Sequence, residues 1–267
     1  MSSVHEVEFV GITGVSLLGI LVGSFLNVVI GRVPEGRSVV HPPSACSRCD
    51  YQIGPKGNIP ILSWMLLRAK CRNCSLPISA RYRLIEALTG ALFGLTAWRL
   101  GWTPELPAVL LFVAGGIALS AIDIEHFRLP NAVVYPLLGL VSLSLVVAAG
   151  VSSQWSRLVW VVAGALASAG LLFAIVFLTR GRGMGMGDVR LGLVLGAVAG
   201  WYGPGRALVS MFLGFVVGSL VGIGTALRTG KVKGVKMPFG PSLIAGAFLT
   251  VLWGGNIWDC GRTLIGL

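Results

Sequence analysis

"LVWVVAGALASAGLLFAIVFLT", Leu158 to Thr179, runs its whole length without a charged side chain. Apolar runs of about 18 residues or more read as membrane-crossing helices. Phe9 to Gly31 reads the same way. The whole chain agrees: 267 residues, 55% hydrophobic and 12% charged, with a mean hydropathy of +0.84. A soluble domain carries roughly a quarter charged residues. A soluble all-α core is the alternative, but it does not house so many long uncharged segments. The expected class is therefore all-α, a polytopic membrane protein.

Outward from that run, the apolar stretches predict eight helices, near residues 9–31, 84–101, 106–122, 132–150, 158–179, 189–202, 207–227 and 239–257. Gly and Pro clusters separate several of them: "GWTP" at Gly101–Pro104, "YGPG" at Tyr202–Gly205 and "KMPFGP" at Lys236–Pro241. Pro136 and Pro241 fall near the starts of two stretches, a break that neighbouring groups can satisfy. The first run follows Glu6 and Glu8 with no Lys or Arg, unlike the basic start of a signal peptide, so it is expected to stay as a helix. The division expected is 1–31 for the N-terminus and first helix, 32–83 for an extramembrane loop domain, and 84–267 for a seven-helix transmembrane domain.

The formal net charge is +11 and the pI about 10.1. In a membrane protein this excess marks cytoplasmic loops. Basic residues scattered among apolar spans form no phosphate-tracking stripe, so nucleic acid is not an expected partner. The eight-helix reading puts Arg32, Arg37, Arg48, Lys56, Arg68, Lys70, Arg72, Arg81, Arg83, Arg128, Arg180, Arg182, Arg190, Arg228, Lys231, Lys233 and Lys236 on one side, 17 of the 21 basic residues. Arg99, Arg157, Arg206 and Arg262 fall on the other. Both termini are thus expected outside, with 32–83, 123–131, 180–190 and 228–238 facing the cytoplasm. Gly214, Gly218 and Gly222, like Gly19 and Gly23, recur every four residues, the spacing that lets helix backbones approach closely.

The loop 32–83 holds "CSRC", Cys46 to Cys49, and "CRNC", Cys71 to Cys74, with 21 residues between the pairs. Two such knuckles read as a tetrahedral four-thiolate zinc site, although the separation is one residue past the usual range. Disulfides are the alternative, disfavoured in a reducing cytoplasm. Four thiolates leave no open position for water, so the metal would be structural. Cys260 stands apart and receives no role.

Ten acids occur in the chain. Glu6, Glu8, Glu105 and Asp259 are expected outside, and Glu35 and Asp50 in the cysteine loop. Glu86, Asp123, Glu125 and Asp188 lie at cytoplasmic ends of spans, where ionisable groups are functional suspects. Asp123 closes the third span in "SAIDIEHFRLPN", Ser120 to Asn131; Asp188 opens the sixth in "RGRGMGMGDVRLG", Arg180 to Gly192. The helix alternation brings both to one depth. From Asp188 to Tyr202 the sixth helix is about 22 Å long against a hydrocarbon core of about 30 Å. Gly183, Gly185 and Gly187 allow unusual backbone angles and close approach of a second chain. Two carboxylates meeting across a water can divide the labour: the charged one as base, the protonated one as acid. The same residues could instead form salt bridges, Asp123 with Arg128 or His126 and Asp188 with Arg190, or serve a proton-coupled carrier.

"GMGD" at Gly185–Asp188, followed by "VRLG", resembles the G-x-G-D motif of intramembrane aspartyl proteases. "GSFLNVVIGRVP" (Gly23–Pro34), "NIPILSWMLLRAKCRNCSLPISARYRLIEALTG" (Asn58–Gly90), "DIEHFRLPN" (Asp123–Asn131) and "PFGPSLIAGAF" (Pro238–Phe248) narrow the resemblance to bacterial type IV prepilin peptidases. It covers nearly the whole chain in the family's motif order. Arg190 departs from it, since the family more often has Lys there. The resemblance implies a multi-pass protein of the bacterial inner membrane with Asp123 and Asp188 as the catalytic aspartates and Cys46, Cys49, Cys71 and Cys74 as zinc ligands. It implies prepilin and pseudopilin substrates of type IV pili and type II secretion. Their short basic leader would be cut on the cytoplasmic side, usually after a glycine. Members with this loop often also methylate the new N-terminus with S-adenosylmethionine; no residue is assigned to that step. Glu86 and Glu125 are candidates to receive the basic leader, and Gly185 and Gly187 to meet the substrate backbone. A proton-coupled transporter and a zinc-loop membrane anchor are the competing readings.

Overall fold

The computed structural model describes residues 2–41, 49, 73, 74, 79–181, 183–229 and 237–265. Among them there is no β-strand, and by packing the chain forms two units, Met1–Gly101 and Trp102–Leu267.

The first unit pairs α1, Ser2–Arg32, with α2, Ala80–Leu100. The sequence reading had grouped α2 with the helices that follow it. A short 3-10 turn, Val33–Glu35, ends α1 and closes on Gly36 at φ 69°. The Ser79 hydroxyl caps α2 by accepting from the Arg81 amide at 3.3 Å. The predicted glycine register is the seam of the pair. A Cβ on Gly19 would lie 2.8 Å from Phe93, and one on Gly23 2.8 Å from the Glu86 backbone. Asn27, buried in this seam, donates to the Tyr82 carbonyl at 3.0 Å.

The second unit holds α3 (Leu106–His126), α4 (Asn131–Ser152), α5 (Arg157–Leu178), α6 (Met186–Trp201), α7 (Arg206–Thr229) and α8 (Gly240–Ile265). At 16 residues α6 is the shortest, and it packs against each of the other five. Leu191, Gly192 and every residue from Val194 to Trp201 are buried. A helix apolar on all sides belongs inside a bundle, which is why α6 need not match the full bilayer. Its tightest seam is with α5: the Gly164 backbone meets Gly196, and Gly200 meets the Trp160 carbonyl. No side chain beyond hydrogen fits there. The Gly214 and Gly218 stripe of α7 likewise accepts Leu243 and Phe239 at the start of α8.

Among the described residues, five helices are long and apolar enough to cross a membrane: Glu8–Glu35, taking in the 3-10 turn, with α3, α4, α5 and α7. The apolar part of α8, Gly240–Gly254, is shorter. The protein is thus all-helical and of multi-pass character. Several helix ends differ from those expected from sequence, among them the start of α1 at Ser2, the start of α2 at Ala80 and the end of α8 at Ile265, and two of the differences bear on the acids. α3 continues one turn past residue 122 and stops at His126, where Phe127 turns left-handed at φ 52°. α6 starts at Met186, three residues early, so Asp188 lies inside its first turn. Pro241 sits in the first turn of α8, where a missing N–H costs no helical bond.

Candidate active site

Asp123 and Asp188 lie at the same end of the second unit, near enough for the charge of one to act on the other. Each is held by the amino end of a helix. The Gly240 amide, opening α8, donates to Asp123 Oδ2 at 3.0 Å. The Gly185 amide, just before α6, donates to Asp188 Oδ2 at 3.0 Å. The second bond is half of a capping box: an acid in the third helical position reaching back to the residue that caps the helix. A glycine has no side chain to return it. Helix amino ends carry a partial positive charge and unpaired N–H groups, so both carboxylates are electrostatically welcome there.

Burial adds the opposite pressure. Asp123 is 6% exposed and Asp188 8%. Neither pairs with a cation among the described residues. The salt bridges considered from sequence are not formed: Arg190 turns to Asn131 instead, donating to Oδ1 at 2.7 Å. The charge of Asp123 acts directly on Asp188, so the two share one electrostatic setting. In each carboxylate one oxygen is fixed by a backbone amide, while Oδ1 makes no hydrogen bond among the described residues. Two half-satisfied buried acids can hold a water between a base and an acid.

Leu129 brings the two helix ends together. Its side chain lies against both Gly187 and Gly240: a Cβ on the first would stand 3.1 Å from Leu129 Cβ, and on the second 3.4 Å from Cδ2. The sequence reading did not single out Leu129 or Gly240, although both lie in the stretches it quoted. No charge or periodicity marked them. The glycine reading needs a correction as well. The left-handed backbone falls at Arg180 and Gly181, φ 51° and 71°, and not at Gly183, Gly185 or Gly187. Gly185 is extended at φ −96°. Close approach, not unusual angle, is what Gly187 supplies.

Of the remaining candidates, Glu125 is exposed on the last turn of α3, two residues from Asp123. Glu86 is buried in the first unit, in the seam with α1. Cys46 and Cys71 lie outside the described residues, while Cys49 and Cys74 are half-buried. Among the described residues no group of three or more His, Cys, Asp or Glu gathers as a metal site.

Residues 17–100 match the model of the bacterial peptidase A24 N-terminal domain, and residues 110–223 that of the type IV leader peptidase family. The chain is similar to a prepilin leader peptidase/N-methyltransferase of Stutzerimonas stutzeri, 37% identical over 90% of each chain. The Pseudomonas aeruginosa protein of that name is 35% identical, covering 95% of this chain and 93% of its own. The Neisseria gonorrhoeae one is 37% identical over 91% of each. No solved structure matches this chain.

Proposed function

This chain belongs to the type IV leader peptidase family, and on that premise we propose that Asp123 and Asp188 hydrolyse the leader of prepilins and pseudopilins. The observation that carries this reading is their shared geometry: two buried acids, each tied by one oxygen to a helix amide, each with its other oxygen unclaimed. In the step proposed, the charged carboxylate takes a proton from water while the protonated one donates to the scissile carbonyl. The water oxygen bonds to the carbonyl carbon. The C–N bond then breaks as its nitrogen takes up a proton, and a new amino terminus leaves. Low exposure strengthens each of these interactions over its value in water.

The family's relatives carry N-methyltransferase in their names. The second activity proposed is therefore transfer of a methyl group from S-adenosylmethionine to that new amino terminus. The topology proposed keeps the eight spans, both termini outside and the aspartates toward the cytoplasm of a bacterial inner membrane. Its support is the one-sided distribution of Lys and Arg. Cys46, Cys49, Cys71 and Cys74 are proposed as a structural zinc site on the chemistry of four thiolates at paired spacing. Glu125 and Glu86 are proposed to receive the basic leader, with Gly185 and Gly187 flanking its backbone. Unchanged cleavage of a basic leader after charge reversal at both glutamates would remove that role from them. The transporter reading draws no support from the relatives.

The test is to mix the purified full chain with a prepilin and S-adenosylmethionine and weigh the product's N-terminus by mass spectrometry. A shortened chain shifted by one methyl group supports both activities, and a shortened unmethylated chain supports cleavage alone. An intact prepilin, with proton-driven flux through proteoliposomes, would return the transporter reading.

A further inference from the structure

The end of the second unit opposite the aspartates carries a second polar cluster that hydrolysis does not use. It is built from Glu105, just before α3, Arg157 at the start of α5, Trp201 and Tyr202 at the end of α6, and Arg206 at the start of α7. The Arg157 guanidinium carbon lies 5.3 Å from the Trp201 ring centroid, and that of Arg206 5.6 Å from the centroid of Tyr202. A cation held over an aromatic ring keeps N–H groups with which to donate. Neither arginine has a carboxylate partner among the described residues. Glu105 is only 9% exposed, and its carboxylate makes no hydrogen bond among them. Its charge and those of both arginines all act on the Tyr202 hydroxyl, so the groups converge.

The floor of the cluster is unsatisfied. Trp201 is 1% exposed, and its Nε1 is buried without a hydrogen-bond partner; so is Tyr202 Oη. Buried polar atoms are nearly always paired, so two orphans beside two arginines and an acid, none of them in an ion pair among the described residues, describe a place that lacks a group. The first turns of α3, α5 and α7, all membrane-crossing by length, lie at this end. Trp and Tyr favour such levels, where headgroups meet water. One residue past Arg157, an exposed apolar face begins along α5, with Val159, Val162 and Leu166 all more than half exposed.

We propose that this cluster binds the headgroup of a phospholipid carrying both a phosphate and a primary ammonium, with the phosphate on Arg157 and Arg206, the ammonium on Glu105, and an acyl chain along the exposed apolar face of α5. Paired guanidinium donors suit phosphate oxygens. A carboxylate in the same cluster makes a purely anionic headgroup a poorer fit and a quaternary ammonium, which has no N–H to donate, a poorer one too.

The test reconstitutes the full chain in nanodiscs of phosphatidylethanolamine, phosphatidylcholine or phosphatidylglycerol, in pairwise mixtures, and counts lipids retained after detergent release by native mass spectrometry. Phosphatidylethanolamine should be retained about tenfold over either competitor, the effect of losing one charge-assisted contact. Arg157→Ala with Arg206→Ala should abolish retention of the bound lipid. Glu105→Gln, nearly isosteric and expected to fold, should erase the preference for the primary amine while phosphate-bearing lipid still binds. Prepilin cleavage in detergent should be unchanged in every variant, separating this site from the aspartates. The proposal is overturned by equal retention of all three lipids, by preference for phosphatidylglycerol, or by a Glu105→Gln chain that keeps the wild-type preference. If the double arginine variant does not insert, the Glu105→Gln result alone decides.

Discussion

Gly240 and Asp123 stand 117 residues apart in sequence, and the amide of the first donates to the carboxylate of the second at 3.0 Å. A Cβ on Gly240 would lie 2.8 Å from that same oxygen. The amino end of α8 therefore touches a reacting group with bare backbone. Each oxygen that a backbone amide fixes leaves its twin with a defined direction, and that pre-orientation is what a hydrolytic pair needs.

Asp123→Asn and Asp188→Asn should each lower prepilin cleavage at least about a hundredfold, the usual scale of losing one acid–base group. An amide keeps the acceptor oxygen for Gly240 or Gly185, so insertion and helix content should hold. Cleavage assays on membranes, with circular dichroism of the purified variants, check both halves. Near-wild-type cleavage by either variant would remove that residue from the chemistry.

Gly240→Ala should cut kcat about tenfold or more with a small effect on KM, because the new methyl group must push Asp123 Oδ2 from its amide. Gly170→Ala on α5, where a Cβ meets nothing within 4 Å, is the matched control and should cleave like wild type. Equal effects at the two glycines would mean that close approach at Gly240 is irrelevant.

Leu129→Ala should reduce cleavage about tenfold while the six helices of the second unit persist. The side chain removed rests against both Gly187 and Gly240, so its loss frees the two helix ends that hold the acids. Gly187→Ala is expected to resemble it, since a Cβ there meets Leu129 at 3.1 Å. Cleavage kinetics beside far-ultraviolet circular dichroism distinguish a displaced pair from an unfolded bundle.

Arg190→Lys should keep most activity and Arg190→Ala should not, since a cation reaching Asn131 Oδ1 ties α6 to the start of α4. The double variant Arg190→Ala, Asn131→Ala should be no worse than Arg190→Ala alone. Additive losses in such a double-mutant cycle would show that the two residues act separately.

Purified full-length protein should carry one zinc ion per chain, read by elemental mass spectrometry, and Cys71→Ser should lose it without altering the aspartates' chemistry in the second unit. Stoichiometric zinc in a chain lacking Cys46, Cys49, Cys71 and Cys74 would place the metal elsewhere.

Helix positions were legible because burial in a membrane writes itself locally: runs of apolar residues, breaks at Gly and Pro, and small residues at intervals of four. Gly19, Gly23, Gly214 and Gly218 packed where that spacing said they would. The two aspartates stood out because acids are rare in this chain. The helix ends were less legible. Asp123 lies a turn before the end of α3 because Phe127, an unremarkable residue in sequence, adopts the left-handed turn that stops it. Leu129 was invisible for a similar reason: a leucine in an apolar chain carries no signal until its neighbours are known.

The sequence by itself determined that this is an all-helical chain of membrane-crossing character, with two isolated acids at the ends of helices running in opposite directions. Those are properties of single segments, fixed by hydropathy and charge. Only the tertiary structure decided that α6 lies at the centre of the second unit, that the amides of Gly185 and Gly240 are the ones holding Asp188 and Asp123, and that Leu129 draws their helix ends together. Such pairings depend on how side chains of distant segments fit, and shape complementarity between segments leaves no local pattern in either one.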